Sequence, residues 1–122
     1  MADRPRCTPP ALPAPVGDGL LIVDKPVGPT SHDLVQAVRR WAGRREVGHA
    51  GTLDPGASGV LLILLGEATK LTGRLLDSDK AYDFTIAFGA ETDGLDAEGT
   101  VVATSDVRPT LADILSVLPR FT

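Results

Sequence analysis

The sequence predicts a mixed α/β fold, and three observations carry that prediction. Two apolar runs of strand length, Leu20–Val23 and Val60–Leu65, stand well apart in the chain. Apolar residues recur at helical spacing at Leu34, Val35, Val38 and Trp41, and again at Leu111, Ile114, Leu115 and Leu118. Tyr82, Phe84, Ile86 and Phe88 alternate with Asp83, Thr85 and Ala87 at the period of a half-buried strand. At 122 residues, 43% of them hydrophobic, the chain suits one small domain, or a piece of a larger one, with a core of its own.

Residues 1–18 form a Pro/Ala-rich stretch without periodicity, expected to be a flexible leader, and residues 19–122 are expected to fold. Leu20–Val23 reads as a strand that feeds a turn at Asp24-Lys25-Pro26, prolonged by Gly28 and Pro29. Thr30 or Ser31 can cap the following helix, and Gly43 can stop it. Glu46–Gly59 reads as a glycine-rich loop. The unbroken apolar run Val60–Leu65 suits a strand buried on both faces, ended by Gly66. Ala68–Leu76 reads as a short helix weakened by Gly73. After the alternating strand at 82–88, Gly89–Gly99 is rich in acids and turn formers, and with Thr100–Thr104 it reads as a hairpin. Thr110 and Asp113 are spaced as a capping box for a last helix whose stripe is expected to be buried.

Composition excludes several classes of function. The longest apolar run is six residues, against the roughly twenty that span a bilayer, and the proline-broken start lacks a secretory core. A cytoplasmic protein without a membrane partner is the expectation. Cys7 is the single cysteine, and His32 and His49 fall on different elements, so no metal site is expected. The acids of Gly89–Gly99 do not have calcium-loop spacing. No Lys-Ser/Thr follows the glycines as a phosphate loop requires. Ser58, His49 and Asp54 make a triad only on paper, because Ser58 sits in no nucleophile elbow.

The net charge of −4 argues against an RNA partner, but its distribution is uneven. Residues 1–60 carry seven basic and six acidic groups, residues 61–122 five and ten. Arg39, Arg40, Arg44 and Arg45 concentrate the positive charge near the end of the first helix, where cations also complement the helix dipole.

The densest signal is Gly48-His-Ala-Gly-Thr-Leu-Asp-Pro-Gly-Ala-Ser-Gly59, which sets one acid, Asp54, among four glycines. Glycine permits close approaches and backbone angles that side chains forbid, and Pro55 biases Asp54 away from the helical region. Taken alone, Asp-Pro-Gly is an ordinary turn.

Five motifs in register go further. Asp24-Lys25-Pro26 with Gly28-Pro29-Thr30-Ser31, Gly48–Pro55, Ala57-Ser58-Gly59-Val60-Leu61, Gly66-Glu67-Ala68-Thr69-Lys70, and Asp79–Tyr82 with Gly89–Asp93, Asp96 and Gly99 resemble the amino-terminal catalytic region of TruB-type tRNA pseudouridine synthases. The resemblance runs from Gly19 to the end of the chain. It implies part of a catalytic domain with a mixed, largely antiparallel sheet flanked by short helices. The implied activity is isomerisation of the T-loop uridine of tRNA, position 55, to pseudouridine without metal or organic cofactor.

By the same resemblance Asp54 is the catalytic carboxylate, attacking C1′ or uracil C6 or taking the C2′ proton. Tyr82, which periodicity alone makes a core residue, stacks on the flipped base and assists C5 deprotonation. His49, otherwise a loop histidine satisfied by carbonyls, contacts the RNA. Lys25, Pro26, Gly51 and Pro55 support the loop. The partner is the T-arm of tRNA, and a monomer is expected. The family's chains are longer, and their later segments carry a basic partner for the aspartate and residues that close over the base. Activity of these 122 residues alone is therefore expected to be low. The alternative is a non-catalytic remnant, or an RNA-binding and folding helper, of the same fold.

Overall fold

The structure, a computed structural model, describes residues 16–122 and falls into two units, the first ending at Lys80 and the second spanning Ala81–Thr122. It is a mixed α/β arrangement of helices and antiparallel sheets, as the sequence predicts. The proposed leader lies outside the described residues except for its last three.

In the first unit, strands β1 (Gly19–Lys25), β2 (Val47–Ala50) and β3 (Gly59–Leu65) form one antiparallel sheet in the order β1-β3-β2. Its register runs from Gly19 opposite Leu65 to Lys25 opposite Gly59, and from Val47 opposite Leu65 to Ala50 opposite Leu62. The apolar run takes the centre because only a central strand has both edges paired. Leu61, Ile63 and Leu65 share one face with the core residues Val35 and Val47, and Leu64 is buried on the other. Burial on both faces holds only at the Ile63–Leu65 end, since Val60 is exposed.

Helix α1 (Ser31–Ala42) lays Val35 into this core, with Leu34, Val38 and Ala42 partly buried beside it. Thr30 is its cap, through a complete capping box with Asp33, and Gly43 ends it in the left-handed conformation at φ 63°. A 3₁₀ turn over Gly66–Leu71 and helix α2 (Thr72–Leu76) replace the single short helix expected there. Gly66 leaves β3 at φ 59°, where a Cβ would stand 1.9 Å from Asp18 Oδ1. Val16 and Asp18, in the stretch read as leader, are attached to this unit. Val16 packs against the core, and Arg44 bonds the Val16 carbonyl at 3.3 Å and the Asp18 carboxylate at 2.8 Å.

One strand lies where the sequence predicts loop. β2 lies inside the expected loop, because Gly48 and His49 hide its β character while the edge of β3 still needs a partner.

In the second unit the expected strand at Tyr82–Phe88 is absent. Alternation supplies an apolar face, but a strand also needs a neighbour's N–H and C=O groups. Strands β4 (Ala90–Thr92) and β5 (Val101–Thr104) pair only with each other. Tyr82 and Phe84 are consequently 64% and 78% exposed. The β4–β5 hairpin itself is as expected, and its acids serve as turn acceptors. Asp96 Oδ1 accepts from the Glu98 and Gly99 amides at 3.0 and 2.9 Å, and Asp93 Oδ1 accepts from Thr100 at 2.9 Å.

Helix α3 (Leu111–Val117) is capped by Thr110 and Asp113 as expected, but its stripe is not buried. Leu111 is 70% exposed, for no second layer of this unit covers it. Hydrogen bonds from the Thr110 amide and then its hydroxyl hold the Asp113 carboxyl below its ordinary pKa. A depressed folded pKa stabilises above the unfolded value, and that contribution is lost as pH falls through the folded one. Titration from neutral pH to below about pH 4 should therefore fray α3 from Thr110, measurable as a lower protection factor at the Asp113 amide relative to its intrinsic exchange rate at each pH, and Asp113→Asn should remove that pH dependence.

Candidate active site

The Asp54 loop connects β2 to β3, and its first bend is made by Gly51 at φ 89°. Asp54-Pro55-Gly56-Ala57 is a β-turn closed by the Ala57 amide on the Asp54 carbonyl at 3.0 Å. Asp at the first position and Pro at the second are what such a turn prefers. Asp-Pro-Gly is thus an ordinary turn as local structure, and what surrounds the turn sets it apart.

Lys25, the last residue of β1, is fully buried, with 0% exposure. Its Nζ donates to the carbonyls of Pro26, Pro55 and Ala57 at 3.0, 3.4 and 2.6 Å. An ammonium has three protons, and three carbonyl oxygens receive them. The Pro55 carbonyl also accepts from the Gly28 amide at 2.7 Å. The turn after β1 and the turn carrying Asp54 are therefore fastened together, which brings Lys25, Pro26, Pro55 and Asp54 into one cluster.

Before Asp54, the loop is fastened a second time. Ser31 Oγ donates to the Leu53 carbonyl at 3.0 Å and accepts from the Leu53 amide at 2.9 Å. The sequence offers Ser31 only as an alternative cap. Because Thr30 performs that function, the Ser31 hydroxyl is released for the loop.

The Asp54 side chain itself is exposed and has no hydrogen-bond or ion-pair partner among the described residues. Fixed backbone and free carboxylate are the arrangement a nucleophile or base requires, since a reacting group must be placed without being consumed by structural bonds.

His49 lies on β2, half-buried, with Nδ1 bonded to the Gly51 carbonyl. A carbonyl can only accept, so Nδ1 carries the proton and Nε2 is left for another partner. Tyr82 belongs to the second unit, where its ring is exposed rather than buried in a core.

The four arginines line a depression of about 480 Å³ with Gln36 and Gly43, separate from the loop residues. Arg39 donates to the Val47 carbonyl at 3.0 Å and Arg44 pairs with Asp18, while Arg40 and Arg45 stay exposed. Among the described residues no group of His, Cys, Asp and Glu is placed to hold a metal ion, and no helix is long and apolar enough to cross a membrane.

Comparison with known proteins agrees with this architecture. The chain is 57% identical over 109 residues to the tRNA pseudouridine synthase B of Novosphingobium aromaticivorans, covering 85% of this chain and 36% of that protein. It is 57% identical over 104 residues to the protein of the same name from Paracoccus denitrificans, covering 85% and 35%. With that of Zymomonas mobilis it shares 56% over 108 residues, covering 84% and 36%. The chain thus spans about a third of the length of the curated relatives it matches. Residues 39–122 match the TruB family pseudouridylate synthase N-terminal domain, and the chain therefore belongs to that family.

Proposed function

We propose that this chain supplies the catalytic aspartate of a tRNA pseudouridine synthase acting on the T-loop uridine at position 55. The observation that carries the reading is Asp54, an exposed carboxylate, unpartnered among the described residues, on a backbone fastened by buried groups. The relatives' shared name supplies the substrate class.

The reaction breaks the N1–C1′ bond, turns the uracil, forms C5–C1′ and moves the C5 proton to N1 or solvent. Product and substrate are isomers, so atoms and electrons balance without a cofactor. The target base is stacked within its loop and must first be flipped out. Asp54 then attacks C1′ or C6, or removes the C2′ proton to give a glycal. Tyr82 stacks on the flipped base and assists loss of the C5 proton, and its exposed ring suits that role. His49 offers Nε2 to the RNA. Lys25, Pro26, Gly51 and Pro55 hold the loop. Charge stabilisation of Asp54 comes from a cation outside these residues, which makes the isolated chain a poor catalyst.

The test is release of tritium from T-arm RNA labelled at uridine C5. Two proteins are compared: the 122-residue chain, and a joined polypeptide in which it is continued by the remaining part of the Novosphingobium relative. The joined polypeptide should release one equivalent and the chain alone little. Full release by the chain alone would contradict the need for further residues. No release by either would favour a non-catalytic RNA-folding protein.

A further inference from the structure

Ser31 is a hydroxyl that helix capping does not use and solvent does not reach, since Thr30 caps α1 and Ser31 is only 3% exposed. Its Oγ takes both backbone polar groups of a single residue, Leu53, at 3.0 and 2.9 Å. A hydroxyl can do this because it donates once and accepts twice. Leu53 immediately precedes Asp54, and its side chain packs on the cluster that contains Val35, one turn along α1 from Ser31. The amino end of α1 therefore fixes the Leu53 backbone from one side, while Lys25 and Gly28 fix Pro55 and Ala57 from the other. Asp54 is the residue between these two attachments.

We propose that Ser31 is a positioning residue for the Asp54 carboxylate, acting through the Leu53 backbone. The role rests on the uridine isomerisation proposed above. With the hydroxyl removed, the Leu53 backbone loses both of its bonds to α1 and the chain entering Asp54 keeps only the packing of the Leu53 side chain on that side, and a displacement of about 1 Å in a reacting group costs roughly a hundredfold in rate.

The test has two readouts. Amide exchange at Leu53 in the 122-residue chain reports the attachment whether or not the chain is active. Turnover of T-arm RNA by the joined polypeptide reports its consequence. In Ser31→Ala, Leu53 exchange should accelerate at least about tenfold, and kcat should fall roughly thirtyfold to a hundredfold with KM changed less than about threefold. Ser31→Thr, which keeps the hydroxyl, should restore Leu53 protection and most of kcat. Ser31→Cys nearly keeps the side chain's size while bonding weakly, and it should lose kcat as the alanine variant does. Unaltered Leu53 exchange in Ser31→Ala would overturn the attachment itself. Faster exchange with kcat within about threefold of the parent would overturn the positioning role. A parent polypeptide that forms no pseudouridine would overturn the proposed function and this role with it, while leaving the exchange result standing.

Discussion

Asp54→Asn in the joined polypeptide should lower the rate of tritium release by at least about a thousandfold, the scale expected when a carboxylate that acts as nucleophile or base is neutralised. Asparagine keeps the shape of the side chain and removes only its charge. The turn does not depend on that charge, because the bond that closes it uses the Asp54 carbonyl and the Ala57 amide. The carboxylate is exposed and without a partner among the described residues. Folding stability should accordingly change by less than about 0.5 kcal/mol, and KM for T-arm RNA by less than a few-fold. A large rate loss at constant stability and KM is the signature of a group used in the transition state. A variant that unfolds would give the carboxylate a structural role, and one that still turns over at the parent rate would remove Asp54 from the chemistry.

Lys25→Met should produce the largest loss of stability, about 2 kcal/mol in urea unfolding. Methionine matches the length of the lysine stem but donates nothing. The Pro26 and Ala57 carbonyls then lose their ammonium partner, while the Pro55 carbonyl keeps the Gly28 amide at 2.7 Å. Relief of the ammonium's own desolvation offsets part of this cost. The remainder is expressed at the turn that carries Asp54, so turnover should fall along with stability. Unchanged stability and unchanged turnover together would show that the three bonds do not hold the loop.

Much of the first unit was legible from the sequence, for reasons that are local. Thr30, Asp33 and Gly43 bound α1 through interactions within one helical turn, and Val60–Leu65 announces a central strand by its unbroken apolar run. What the sequence hid depends on pairing. β2 exists because β3 has an edge to satisfy, and nothing in Val-Gly-His-Ala signals it. The converse error occurred at Tyr82–Phe88, where a clear alternation finds no partner strand in its unit. The stripe of α3 predicts its helix but not its exposure, because periodicity states which face is apolar and not whether anything covers it.

The site divides in the same way. Asp54 and its glycines stand out by composition, and the support from Lys25 and Pro55 followed from the family's motifs. Two of the three carbonyls on Lys25 and the paired hydrogen bonds of Ser31 to Leu53 are long-range contacts, spanning 30, 32 and 22 residues, with no trace in local spacing. The one available hint for Ser31 was its redundancy beside a better-placed cap at Thr30.

Asp54 is proposed to isomerise the T-loop uridine of tRNA. Nucleoside mapping of a full tRNA after incubation with the joined polypeptide tests it most directly. Pseudouridine should appear at position 55 alone with the parent sequence and not at all with Asp54→Asn. Pseudouridine formed equally by the Asp54→Asn variant, or formed only at other positions by the parent, would contradict it.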